Sequence, residues 1–298
     1  MGAGTMDDRA DARTGQTDGR DDLRANLHRM WASVAPGWAE HADFVDDRGA
    51  AETEALLERA APQPGDRVLE LACGPGATGM AAATLVAPGG EVVMSDVVAE
   101  MTAIAAARAD AAGLTNVSTR ELDIEQIEEP DGAYDVVLCR HGLMFALDPA
   151  RGAREIRRVL KPGGRVALGV WGPREDNPWL GLVLDSVSAQ IGAPVPPPGI
   201  PGPFALQDAG RLAALLTEAG LLEVSVTELS LPTATDSFDE WWTRTTALAG
   251  PLSAMLKAMP PEAGEAIRER AREAVAPYAT VDGGLEFPGV GLVASGRA

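Results

Sequence analysis

Lysine is almost missing from this chain: of 25 basic side chains, set against 44 acidic ones, only Lys161 and Lys257 are lysines. The formal charge is −19. A field of that sign repels phosphate backbones and anionic lipid, and no local basic patch opposes it, so nucleic acid and membrane surface are poor partners. Cysteine is nearly as scarce, with Cys73 and Cys139 the two present. Two thiols are too few for a disulfide framework or a four-ligand zinc site, and both read as reduced and buried. There are 3 histidines, His28, His41 and His141, and no His/Asp cluster at ligand spacing, so no metal is implied. No uninterrupted run of about 18 apolar residues occurs, and no apolar core of a signal peptide, which disfavours spanning and secretion and leaves a cytoplasmic protein as the expectation.

What is present is a large apolar fraction, 46% of 298 residues. That suits one large domain or a domain with a cap, since single cores stop growing at roughly 250 to 300 residues. Residues 1–25 mix both charges with Gly and Thr and read as a disordered tail. Residues 26–62 read as a helical segment in two pieces, broken at Pro36-Gly37. Then short apolar strands alternate with helices. Strands are expected at Arg67–Ala72, Glu91–Ser95, Val117–Arg120, Asp135–Cys139 and Arg165–Trp171, with helices at Ala77–Val86, Ala99–Ala112 and Ala150–Leu160, the last stopped by Lys161-Pro162-Gly163-Gly164. That rhythm predicts right-handed βαβ units and a parallel sheet covered on both faces. Beyond Trp171 a helix is expected at Gln207–Ala219, a strand at Leu222–Leu231, helix over most of Phe238–Val275, and a final strand at Leu285–Ala294. Two insertions, 172–203 with its proline-rich run and 233–284, are expected as lids.

The chemistry concentrates where the first strand meets a glycine-rich turn, Glu70-Leu71-Ala72-Cys73-Gly74-Pro75-Gly76-Ala77-Thr78-Gly79. Gly74, Gly76 and Gly79 satisfy the dinucleotide fingerprint, a weak signal alone. Glu70 changes its meaning: a carboxylate at the end of that strand suits a cationic group and opposes a pyrophosphate.

At this point the chain resembles class I S-adenosylmethionine-dependent methyltransferases, in the small-molecule branch similar to ubiquinone and menaquinone methyltransferases. The resemblance also rests on Ser95-Asp96, Leu122-Asp123-Ile124, Tyr134-Asp135-Val136-Val137 and Val159-Leu160-Lys161-Pro162-Gly163-Gly164, in order and evenly spaced. It implies a Rossmann-like, doubly wound, seven-stranded and mostly parallel sheet whose last strand is antiparallel, spanning 63–298, with S-adenosyl-L-methionine as cofactor. Glu70 and the backbone from Ala72 through Gly74 to Gly76 would hold the methionyl end, Asp96 with Val97 the ribose, and Asp123 with Ile124 the adenine. For each acid the plain alternative is a solvated turn carboxylate. Ala72 stands where the family often has glycine, and its methyl crowds the turn.

Arg140 is assigned to the cofactor end, with an acceptor acid or a structural salt bridge as its alternatives. His141, just past the fourth strand, is the candidate general base, and the bland reading is a loop hydrogen bond. Met144, Trp171, Trp38 and His41 are the candidate acceptor contacts, although an aromatic pair such as Trp31 and Trp38 is more often core. His28 reads as solvated. The expected function is methyl transfer to a small aromatic or natural-product acceptor, on carbon, oxygen or nitrogen. The rivals are an NAD(P)-dependent oxidoreductase and a cofactor-binding protein without methyl transfer. The acidic balance favours a neutral or cationic acceptor, and apolar lid helices leave a homodimer open.

Overall fold

A computed structural model describes residues 8–298. Its sheet has seven strands: β1 (Arg67–Leu71), β2 (Glu91–Asp96), β3 (Val117–Glu121), β4 (Tyr134–Arg140), β5 (Leu160–Trp171), β6 (Leu222–Ser230) and β9 (Val290–Arg297), in the order β3-β2-β1-β4-β5-β9-β6. The pairs from β3 through β5 are parallel, and β9 runs antiparallel between β5 and β6. The strand order reverses between β1 and β4, and that crevice at the carboxyl ends of the strands is where such folds bind ligands.

The sheet forms because its central strands are apolar on both sides. Leu69, Leu71, Val93, Val137 and Cys139 face one core, completed by helices α5 (Pro149–Val159), α6 (Pro178–Ile191) and α7 (Ala209–Glu218). Val68, Val92, Met94, Val136 and Leu138 face the other, under α2 (Ala42–Ala60), α3 (Ala77–Val86) and α4 (Ala99–Ala111). The helix boundaries have local causes. Asp148 caps α5 by accepting from the Arg151 amide at 3.0 Å, with Pro149 in its first turn. Pro can occupy that turn because its missing N–H has no intrahelical partner there.

Four expectations need correction. Residues 1–7 of the expected tail lie outside the described residues, and 8–25 belong to α1 (Asp8–Glu40), a helix that runs over the cofactor side of the sheet. The break falls at His41, not at Pro36-Gly37: the helix continues through Pro36, and Gly37 leaves room for the Ala247 carbonyl, 3.3 Å from where its Cβ would stand. The Lys161-Pro162-Gly163-Gly164 run is part of β5 and not a stop before it. There Gly163 takes φ +77°, its amide bonds the Ala298 carbonyl, and the β4–β5 register shifts. The single final strand is two, β8 (Leu285–Phe287) and β9, because Pro288 has no N–H for a ladder. β8 pairs instead with β7 (Thr233–Thr235) in a separate ribbon.

The insertions carry α6 on one side and α8 (Phe238–Leu248), α9 (Pro251–Ala258) and α10 (Pro261–Ala274) on the other. α10 packs on α6, while α8 and α9 pack on α1. Trp241 of α8 donates its indole N–H to the Trp179 carbonyl of α6 at 3.0 Å, which ties the two insertions together. No described helix is long and apolar enough to cross a membrane.

Candidate active site

The turn after β1 is shaped by two buried carboxylates. Glu70 is 2% exposed, and its Oε2 accepts from the Gly79 amide at 3.0 Å. A Cβ on Gly79 would stand 2.4 Å from that oxygen, so the third glycine of the fingerprint makes room for the acid. Asp96, at the end of β2, accepts from the Gly74 amide at 3.0 Å and the Val98 amide at 3.3 Å. Gly74 and Gly76 take φ +50° and +89°, the left-handed region where glycine is at no disadvantage. Ala72 takes φ +52° too, and Gly142 yields the space its methyl occupies: a Cβ there would lie 2.5 Å from that of Ala72.

Burial pushes the Glu70 carboxyl up to about 8, against the opposing pull of Arg140 and the Gly79 amide. It pushes Asp96 up to about 6, opposed by the Gly74 and Val98 amides. Both acids therefore gain from a ligand that brings positive charge or hydrogen-bond donors. The Cys139 thiol, raised to about 12 by burial, is inert at neutral pH.

One cavity joins these groups to the rest of the site. Its cofactor end is lined by Glu70, Ala72, Gly74, Asp96, Val97, Asp123, Ile124 and Met144, with Met101 and Leu122 as apolar walls. Gly76 is not on the wall; it caps α3 and packs toward Met94 and Ala105. From α1 come Arg24, His28, Trp31 and Trp38. His28 is thus a wall residue and not simply solvated. Arg24 reaches Asp123 at 3.0 Å and Glu125 at 2.8 Å, so the acid expected at the adenine also anchors α1. Trp31 lies edge-on to both Trp38 and Phe145. The Trp38 indole N–H is buried without a partner, and its ring lies 3.7 Å from the Cβ position of Gly74.

The acceptor end is roofed by the insertions. Phe44, Arg48 and Glu52 come from α2, Trp171 from β5, Trp179 and Leu180 from α6, and Trp241, Arg244 and Leu248 from α8. His141 holds φ +58°, a conformation that costs a non-glycine residue about 1 kcal/mol and is kept by its amide's bond to the Gly169 carbonyl at 2.8 Å. Its ring stacks on Trp171, centroids 4.1 Å apart at 15°. Its Nε2 lies 2.7 Å from Oε2 of the fully buried Glu52, an ion-pair approach without hydrogen-bond alignment, and both Glu52 oxygens and the His141 Nδ1 are buried with no hydrogen-bond partner among the described residues.

Trp38, Met144 and Trp171 line the cavity as expected, but His41 does not. It precedes the first turn of α2, and the helix direction carries Phe44 and Arg48 to the wall in its place. Arg48, Glu52 and Arg244 are cavity residues that sequence reading passed over, and for Glu52 a signal was available. The available signal was an acid on the stripe Val45, Gly49, Glu52, Leu56, Ala60, every other member of which is apolar or glycine.

The cofactor end fits a zwitterionic amino-acid nucleoside. Glu70 matches an ammonium, the Asp96 carboxylate matches vicinal hydroxyls, and Arg140, with no ion-pair partner among the described residues, matches a carboxylate. A pyrophosphate would meet two buried acids at the turn. The fold and the strand-end acids together define the class I methyltransferase architecture.

Comparison with known proteins agrees. Residues 68–164 match the methyltransferase domain family. The chain is 31% identical to a ubiquinone/menaquinone biosynthesis C-methyltransferase of Ectopseudomonas mendocina, with 56% of this chain and 57% of that one covered. It is 33% identical to nocamycin O-methyltransferase of Saccharothrix syringae, covering 57% and 64%. Among solved structures, the YcgJ protein of Bacillus subtilis superposes with TM-score 0.57 at 20% identity, covering 82% of this chain and 97% of that one, a likeness of fold. The chain thus spans about half to two thirds of the length of the curated relatives it matches. Residues 68–164 thus form a methyltransferase domain of the class I, S-adenosylmethionine-dependent architecture.

Proposed function

We propose that the protein transfers the methyl group of S-adenosylmethionine to a small-molecule acceptor, an aromatic or natural-product intermediate, on carbon or oxygen, with nitrogen the remaining option. The observation that carries this reading is one cavity with strand-end acids at one end and the Glu52–His141 pair among aromatic rings at the other. Two relatives bear the names of a C-methyltransferase and an O-methyltransferase acting on small molecules, which supports the acceptor class.

When bound, the cofactor supplies an electrophilic methyl on a sulfonium. Glu70 holds its ammonium, Arg140 its carboxylate, Asp96 the ribose hydroxyls, and Asp123 with Ile124 the adenine. Trp31 and Trp38 exclude water, which favours a displacement that depends on alignment at close range. His141, with the Glu52 carboxylate 2.7 Å from its Nε2, is the group that takes a proton from the acceptor, and Glu52 stabilises the resulting imidazolium. With its formal net charge of −19 the protein suits small acceptors and not nucleic acid.

Calorimetry with S-adenosylhomocysteine and with NAD(P) tests the cofactor, and an acceptor screen over phenols, indoles and quinol-like compounds, read by product mass and NMR, tests the transfer. Binding of the homocysteine alone and a mass gain of one methyl are expected. NAD(P) binding without homocysteine binding would overturn the reading. His141→Phe is expected to lower kcat about 100-fold while leaving homocysteine affinity unchanged.

A further inference from the structure

Arg48 is a cation that the roles above leave unused. It lines the acceptor end, and its guanidinium lies 4.4 Å from the ring centroid of Trp179, 5.4 Å from that of Trp171 and 5.6 Å from that of Phe44. It makes no ion pair and no side-chain hydrogen bond among the described residues, whereas Arg244, over the same Phe44 ring, is held by Glu240 at 2.7 Å. Rings cover the planar group, and its N–H edge is unspent. Its charged neighbours are Arg140, which adds to the positive field, and Glu52, which opposes it but sits on His141. Arg48 is half-buried and lacks an ion pair of its own among the described residues, so the site gains when a ligand brings the opposite charge.

Resting on the methyl-transfer reading, we propose that the acceptor carries a delocalised oxyanion, a carboxylate or the enolate of a 1,3-dicarbonyl, and that the Arg48 edge binds it. A guanidinium lying over the Trp179 ring, with Trp171 and Phe44 nearby, presents two parallel N–H groups at the spacing of such an anion, and those rings restrict its orientation before binding. The acidic balance of the whole chain favours a neutral or cationic acceptor, yet that charge lies mostly in solvent, where salt screens it. Inside the cavity the nearby charges decide. Trp171 carries both Arg48 and His141, so one indole fixes the anion's anchor relative to the base.

The test uses the full chain saturated with S-adenosylhomocysteine, which itself reports on the cofactor site, and two matched probe pairs followed by tryptophan fluorescence. One pair is 1-hydroxy-2-naphthoate and its carboxamide; the other is 2-hydroxy-1,4-naphthoquinone and its methyl ether. We expect the anion of at least one pair to bind about tenfold or more tighter than its neutral partner. The pair that discriminates identifies the carboxylate or the enolate as the source. In Arg48→Gln the preference is expected to fall within about threefold, and in Arg48→Lys to be intermediate, with homocysteine affinity within about twofold of wild type in both. Equal affinities in both pairs, or a preference that survives Arg48→Gln, would overturn the proposal while leaving the methyltransferase reading intact. If Arg48→Gln does not fold, the wild-type pairs and Arg48→Lys still decide. Failure to bind homocysteine at all would instead remove the reading on which the proposal rests.

Discussion

In the proposed methyl transfer Glu52 acts through another residue, His141. It is buried at the end of a 2.7 Å contact with His141 Nε2, and its Oε1 sits so close to β5 that a Cβ on Gly169 would stand 2.2 Å away. Glu52→Gln keeps the shape and removes the charge that stabilises a protonated imidazole. We expect kcat to drop about 100-fold or more, the rising limb of the kcat–pH profile to move to lower pH because the charge that favours the protonated imidazole is gone, and cofactor KM to change little. Steady-state kinetics across pH 6 to 9 would check this, since a merely structural loss would lower activity without moving the profile. Gly79→Ala places a methyl against the Glu70 carboxylate and Met94, and we expect a loss of about 1 to 3 kcal/mol in denaturant unfolding together with weakened homocysteine binding. Glu70 and Asp96 were legible because the glycine turn and the strand ends fix their place within one βαβ unit. Arg48, Glu52 and Arg244 were not, because α2 and α8 bring them to the cavity from segments with no motif. The backbone at His41 shows the same limit: one turn of helix decides which side chain reaches the wall.

At the level of elements, the sheet could be read from sequence because strands buried on both faces leave continuous apolar runs. The edges could not. The last strand divides at Pro288, and the path beyond it is set by Gly289 passing the Leu231 carbonyl, 2.0 Å from a would-be Cβ, a tertiary contact that sequence does not announce. The course of α1 is likewise set by what it covers, since its own composition is polar and its anchors are Arg24 on Asp123 and Glu125. Glu125 keeps the amides of Leu147 and Asp148 without Arg24, so Arg24→Ala removes the tie without stranding a buried acid. The expected cost is about 1 kcal/mol or less, because Arg24 is 35% exposed. Hydrogen exchange along α1 is expected to rise several-fold in this variant, and homocysteine affinity to fall by a similar factor, because the same helix supplies Trp31 and Trp38.

For the molecule as a whole, the two raised acids set how stability depends on pH. Unfolded carboxylates titrate near 4, whereas Glu70 is held up at about 8 and Asp96 at about 6, so the folded chain retains more protons between those limits. Stability of the ligand-free protein therefore falls as pH rises from about 5 to about 8. Thermal melts at pH 6 and pH 8.5 should show the drop, and saturating S-adenosylhomocysteine should reduce it by supplying an ammonium to Glu70. The same linkage has cofactor binding at pH 7 release a proton, seen as an enthalpy that varies with the buffer and flattens in Glu70→Gln. The charge of −19 adds self-repulsion, so moderate salt is expected to raise the melting temperature.

The bond from the Trp241 indole to the Trp179 carbonyl joins segments 62 residues apart, each of which supplies half of the chamber roof. Exchange between relatives must respect that: transplanting 172–203 without 233–284 leaves a buried indole N–H facing a foreign backbone, whereas grafting both together moves this part of the roof as one unit and leaves Arg48, His141 and the cofactor end of the sheet in place.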